Sequence, residues 1–221
     1  SVDFFAYTDG EVAFVEIVEK FIENKFSVKL MKNEDIPIKG CASMSKDKSK
    51  LLIGDYIFRI GMKGSVKSEG RDVVPSPYTS GLLDKFLDGT FQPAFETARG
   101  CPFLCTFCDQ GIDESKITAF STKRLAEEMN YVGEKISKIE KGIQTIMIFD
   151  DNWGLFQKDI DLADHIRKVM DKYDWPKFIY ATTPKSKREN ILRIDDKLKN
   201  RVGVGLAMQS IKTDVLKKIK R

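Results

Sequence analysis

The sequence predicts an α/β fold organised around a parallel sheet, and two observations predict it. From residue 91 onward short apolar runs alternate with longer amphipathic ones, and the short runs are continuously apolar, as in strands covered by helices. The composition agrees: 42% of the 221 residues are apolar and 32% charged, which suits a sizeable core and excludes a disordered or fibrous chain. Such βα units build either an open wound sheet or part of a βα barrel. Both gather ligands at the carboxyl ends of their strands.

Residues 1–30 read as a strand from Val2 to Tyr7, a turn at Thr8-Asp9-Gly10, and a helix with Phe14, Ile17, Val18, Phe21 and Ile22 on one face. Thr8 and Glu11 have capping-box spacing. A single strand leaves both edges unpaired, so this unit cannot close a core alone. Residues 31–90 read as an interdomain connection with some structure of its own. It holds a solvated run at Lys46, Lys48 and Lys50, a short strand or hairpin around Leu51 to Ile60, and the segment Val73 to Tyr78, where Pro75 and Pro77 enforce an extended path.

Residues 91–221 carry the alternation. A strand at Gln92 to Thr97 leads into a cysteine loop, and a helix follows with Leu125, Met129, Val132 and Ile136 on one stripe. Next come a strand at Thr145 to Phe149, a helix carrying Leu162, Ile166, Val169 and Tyr173, and a strand at Phe178 to Thr182. A helix from Glu189 to Leu198, a strand from Val202 to Met208 and a last helix from Thr213 complete four strands and four helices. Gly203 and Gly205 inside a strand mark close backbone approach, and Trp153 and Trp175 are expected to pack.

The net charge of +4 is too evenly scattered to point to a nucleic acid or a membrane surface. No apolar run approaches the ~20 residues that span a bilayer. The start, Ser1-Val2-Asp3, lacks Met and any signal pattern and reads as an interior cut. His165 is the single histidine, expected on the second helix away from the strand tips as a boundary or exposed residue, so a two-His metal site is excluded. Three of the four cysteines, Cys101, Cys105 and Cys108, are clustered, which favours metal ligation in a reducing, cytoplasmic compartment over disulfides.

Three thiolates at C-x3-C-x2-C spacing suit a cubane cluster, each binding one iron and leaving the fourth iron open to a substrate or cofactor. The alternative is a non-catalytic iron–sulfur or zinc-binding module in which Cys41 supplies the fourth thiolate. Otherwise Cys41 is a buried or free bystander thiol.

With Phe107 just before the last cysteine, and the loop placed after the first strand of a βα series, the motif resembles the radical S-adenosylmethionine superfamily. The phrases Pro75-Ser76-Pro77-Tyr78, Gly81-Leu82-Leu83-Asp84, Glu96 to Gly100 and Gln209-Ser210 resemble its subgroup with an N-terminal cobalamin-binding domain. The resemblance covers roughly residues 70–221 and implies an enzyme. In it a [4Fe-4S] cluster on Cys101, Cys105 and Cys108 reductively cleaves S-adenosyl-L-methionine to a 5′-deoxyadenosyl radical that abstracts hydrogen from a small-molecule substrate. A reductant such as flavodoxin or ferredoxin supplies the electron. Cobalamin-dependent methyl transfer or ring chemistry would belong to the full-length parent, since the D-x-H-x-x-G cobalamin signature is absent from these residues.

The same resemblance has Phe107 face the adenine, and has Asp150, Asp151 and Asn152 meet the amino group, two acids standing where the family usually has glycines. Lys185 would pair with a carboxylate, and Gln209 and Ser210 would contact the ribose or methionine portion. Plainer roles compete: capping for Asp150 to Asn152 and for Ser210, and solvation for Lys185. The implied architecture is a partial (β/α) barrel of about four of six βα units at residues 91–221. Residues 1–30 would be the strand-helix remnant of a Rossmann-like cobalamin-binding domain, with the chain truncated at both ends.

Overall fold

Pairing of short apolar strands organises two units of the chain, Ser1–Gly70 and Arg71–Arg221, in a computed structural model that describes residues 2–7, 9–62, 70–108, 117–205 and 207–220. The boundary falls inside residues 31–90, the stretch expected to form one connection. Thr8, Leu206 and the end of the cysteine loop at 109–111 lie outside the described residues.

In the first unit, strand β1 (Phe4–Ala6) precedes helices α1 (Gly10–Glu23) and α2 (Val28–Met31), then strands β2 (Cys41–Met44) and β3 (Leu51–Ile53). β2 pairs antiparallel with both β1 and β3, so the strand-helix pair of residues 1–30 completes its sheet with strands from the expected connection. The pairing is antiparallel, unlike the parallel sheet of a Rossmann-like domain. Asp9 begins α1 without a side-chain cap. Its buried carboxylate instead accepts from the Ile60 amide at 3.1 Å and pairs with Arg59 at 3.3 Å.

The α1 stripe differs from the expected one. Ala13, Ile38, Cys41 and Ile57 form the small core, joined by Val12 and Ile17, whereas Phe14 and Ile22 are exposed at 64% and 54%. Three short strands cover only a narrow strip of helix, and that strip centres on the smallest side chain of the turn. Lys46, Lys48 and Lys50 lie exposed between β2 and β3, as expected.

The second unit builds a four-stranded parallel sheet in the order β4 (Ala94–Phe95), β7 (Thr145–Ile148), β8 (Phe178–Thr182) and β9 (Val202–Gly205). Between β4 and β7 lie a two-stranded antiparallel ladder, β5 (Ala98–Arg99) with β6 (Thr118–Ala119), and helix α3 (Thr122–Ile136). Helix α4 (Gln157–Tyr173) links β7 to β8, α5 (Arg188–Lys197) links β8 to β9, and α6 (Thr213–Lys218) follows. The predicted stripes are the buried ones: Leu125, Met129, Val132 and Ile136 of α3, with Leu162, Ile166 and Val169 of α4, share one core with Ile146, Ile148 and Ile179 of the sheet. Each such side chain contributes roughly 1.5–3 kcal/mol over its exposed state. Trp153 and Trp175 are buried in that core, and His165 is half-buried on α4.

Among the described residues only one face of this sheet is covered. Met147, Tyr180 and Val204 face the other side, where with Gly203 and Gly205 they line a cavity of about 500 Å³. Gly203 is required there, because a Cβ would meet the Phe178 ring at 2.6 Å. Strand ends are shorter than expected. β4 starts after Pro93, which has no N–H to donate, and among the described residues the last ladder bond of β9 runs from the Thr183 amide to the Gly205 carbonyl at 3.1 Å.

Tyr78 completes the free edge of β4: its hydroxyl donates to the Ala94 carbonyl at 2.7 Å and accepts from the Ala94 amide at 3.0 Å. Tyr78→Phe removes both bonds and keeps the ring packed against Phe95. We expect a loss of about 2 kcal/mol, read as a lower urea midpoint for the second unit.

Candidate functional site

Parallel pairing places every strand's carboxyl end on one edge of the sheet, so Glu96 to Gly100, Asp150 to Asn152, Thr182 to Lys185 and the segment after Gly205 converge. The turn that delivers the cysteines is built from the residues before them. Glu96 holds Arg99 through two bonds of 2.8 and 2.6 Å, and Arg71 approaches the same carboxylate at 3.9 Å. Gly100 has φ of 102°, a conformation that glycine adopts without a Cβ penalty. Cys101 follows directly. The Cys108 amide bonds back to the Cys105 carbonyl at 3.1 Å, closing a turn around the last two cysteines.

A cleft of about 160 Å³ opens at this edge. Cys101, Phe107, Cys108, Asp151, Asn152, Lys185 and Gln209 line it, seven of the ten residues singled out from the sequence. Asn152 donates its amide to the Cys101 sulfur at 3.2 Å. The Lys185 ammonium donates to the Gln209 side-chain oxygen, and Gln209 reaches the cleft from a left-handed backbone with φ of 52°.

The other three stand elsewhere. Cys105 is buried at 4% exposure and does not line the cleft. The Ser210 hydroxyl accepts from the Lys212 amide at 3.0 Å in a local turn, and Ser210 does not line the cleft. Asp150 is turned into the protein: its carboxylate accepts from the amides of Thr97 at 2.6 Å and Ala98 at 3.1 Å, and from the Thr97 hydroxyl. Burial pushes the Asp150 carboxyl up to about 6, against the pull of those bonds and of the Lys158 charge. Asp150 thus clasps the end of β7 to the approach of the cysteine loop.

Sequence reasoning missed Thr97 and Thr183. Thr97 is fully buried and serves both Asp150 and Lys158, whose ammonium lies 3.1 Å from its hydroxyl. Thr183 lines the cleft, and its buried hydroxyl oxygen has no hydrogen-bond partner among the described residues. Its position beside Lys185 at a strand end was the available signal.

Among the described residues no three His, Cys, Asp or Glu side chains are gathered as a metal-holding group. The donor chemistry nonetheless fits a thiophilic cluster, since two of three closely spaced sulfurs share one cleft and a third lies in the same turn. The orphaned Thr183 hydroxyl likewise fits a polar organic ligand beside it.

No protein-family model matches the chain. It is 29% identical, over 66% of its length, to the 2-(S-pantetheinyl)-carbapenam-3-carboxylate methyltransferase of Streptantibioticus cattleyicolor, covering 22% of that protein. It is 25% identical, over 100% of its length, to the cobalamin-dependent radical SAM methyltransferase TokK of Streptomyces tokunonensis, covering 30% of it. An uncharacterized methyltransferase of Pyrococcus horikoshii is 32% identical over 47% of the chain, which covers 22% of that protein. The chain therefore spans less than a third of the length of these relatives. Among solved structures, the cobalamin-dependent S-adenosylmethionine radical enzyme OxsB superposes on 98% of the chain with a TM-score of 0.60 at 14% identity, the chain covering 29% of it.

Proposed function

Because the chain is a relative of the cobalamin-dependent radical S-adenosylmethionine methyltransferases, we propose that it carries the cluster-binding and S-adenosylmethionine-binding part of such an enzyme. Cys101, Cys105 and Cys108 hold a [4Fe-4S] cluster with one open iron. When bound, that cluster supplies the electron that cleaves S-adenosylmethionine to the radical that takes hydrogen from a small-molecule substrate. The chain's own residues bind and orient: Phe107 lies against the adenine, Asp151 and Asn152 meet the ammonium end, and Lys185 draws the carboxylate. Gln209 and Thr183 serve the remaining polar groups. Asp150 is left out of this set because its buried carboxylate is turned away to Thr97 and Ala98, and Ser210 because it does not line the cleft.

What supports this reading is the meeting of seven predicted residues from four separate strand ends in one cleft. In the same reading the second unit is part of a (β/α) barrel whose open sheet face looks inward. The reductant is a flavodoxin or ferredoxin of the cytoplasm, and cobalamin belongs to the full-length parent.

The test is anaerobic reconstitution with iron and sulfide, then dithionite and S-adenosylmethionine, with 5′-deoxyadenosine measured by chromatography in the parent protein. Product above the level of a cluster-free control is expected. Zinc without sulfide in the reconstituted protein, or no product, would overturn the proposal.

A further inference from the structure

Asn152 is the one cleft residue whose side chain bonds directly to a cysteine sulfur among the described contacts, 3.2 Å from Cys101. Its backbone leaves it little freedom. Two residues earlier Asp150 is fastened to Thr97 and Ala98, and immediately after it the Trp153 amide bonds to the Thr182 carbonyl at 2.9 Å. The Leu155 amide closes a turn onto the Asn152 carbonyl at 3.2 Å. The amide therefore reaches Cys101 from a segment pinned on both sides, to the Thr97–Ala98 stretch that opens β5 and to β8.

Resting on the cluster assignment above, we propose that Asn152 is a positioning residue for Cys101 that also sets the cluster's reduction potential. An N–H dipole pointing at a ligand sulfur stabilises the electron gained on reduction more than it stabilises the oxidised state, so it raises the potential. Removing the donor lowers the potential, and replacing it by a carboxylate lowers it further. Asn152 is the neutral residue of the Asp150-Asp151-Asn152 run, and the only one of the three able to donate from its side chain when the acids are ionised.

The experiment is a redox titration of the reconstituted protein at fixed pH, with iron and sulfide counted in parallel, for wild type, Asn152→Leu and Asn152→Asp. We expect both variants to keep their iron and sulfide. In Asn152→Leu the equilibrium constant for reduction should fall about fivefold to tenfold, a tenfold fall being about 59 mV for one electron, and Asn152→Asp should fall further. Retained clusters with unchanged or raised potentials overturn the proposal, as does loss of the cluster from both variants, which would make Asn152 a scaffold residue. If only one variant keeps its cluster, its potential decides. A wild-type protein that takes up no cluster overturns the cluster assignment as well, so the two failures are told apart by the wild-type iron count.

Discussion

Replacing any one of Cys101, Cys105 or Cys108 with alanine is expected to remove most of the reconstituted iron and sulfide and to abolish 5′-deoxyadenosine formation, whereas Cys41→Ala keeps both. A cubane held by three thiolates has no spare protein ligand, so losing one should cut cluster content by about tenfold or more. Cys41 stands apart from the three in sequence and lies in the other unit. It is 1% exposed in the core of the first unit, its thiol lies 4.0 Å from the Ala13 carbonyl, and burial, with a smaller contribution from the Glu16 charge, raises its pKa. A thiol held protonated is a poor metal ligand. Cys105 is the sharper member of the set because its side chain is buried and does not line the cleft. If Cys41→Ala lost its iron and sulfide together with the three cysteine-loop variants, the fourth-ligand module would replace the radical enzyme as the reading. Iron and acid-labile sulfide assays on the four variants decide this.

The parts of the fold legible in the sequence were those fixed by local periodicity. The α3 and α4 stripes could be read because a helix covering a sheet needs apolar groups at 3.6-residue spacing over several turns, and Leu125 to Ile136 and Leu162 to Val169 supply them. The α1 stripe was legible only in part, Ile17 joining the core while Phe14 and Ile22 stay exposed, because burial there depends on which strands arrive opposite, and those strands, Cys41–Met44 and Leu51–Ile53, come from a segment without clear alternation. At the site, the residues that share the cleft could be found from motif and strand-end position. The split within Asp150-Asp151-Asn152 could not be, since it depends on which way each side chain leaves the end of β7: Asp150 towards Thr97, Asn152 towards Cys101. Tyr78 gave another hidden role, an edge strand's hydrogen bonds taken up by one hydroxyl.

Asp150 carries the second large prediction. In Asp150→Ala the buried amides of Thr97 and Ala98 lose their acceptor, which costs on the order of 2–4 kcal/mol for two donors and loosens the approach to Cys101. Asp150→Asn behaves differently. Its oxygen can still accept from both amides, and its NH2 can donate to the Thr97 hydroxyl oxygen, so the clasp survives without the charge. The pH dependence follows from the raised carboxyl, about 6 in the folded chain against an ordinary 3.8. A raised folded value means the folded state holds the proton more tightly. The associated stability is fully present below about pH 4 and is lost as pH rises through about 6, a difference of roughly 3 kcal/mol. Wild type minus Asp150→Asn should therefore show a stability difference that shifts against wild type between pH 4 and pH 7, while Asp150→Ala is the less stable at both. Both tryptophans, Trp153 and Trp175, are buried in the second unit, so their fluorescence in urea at pH 4.5 and pH 7 follows the unit that contains Asp150. Parallel pH profiles for wild type and Asp150→Asn would show that Asp150 is ionised in the fold at little cost, with the Lys158 charge and the two amides offsetting its burial.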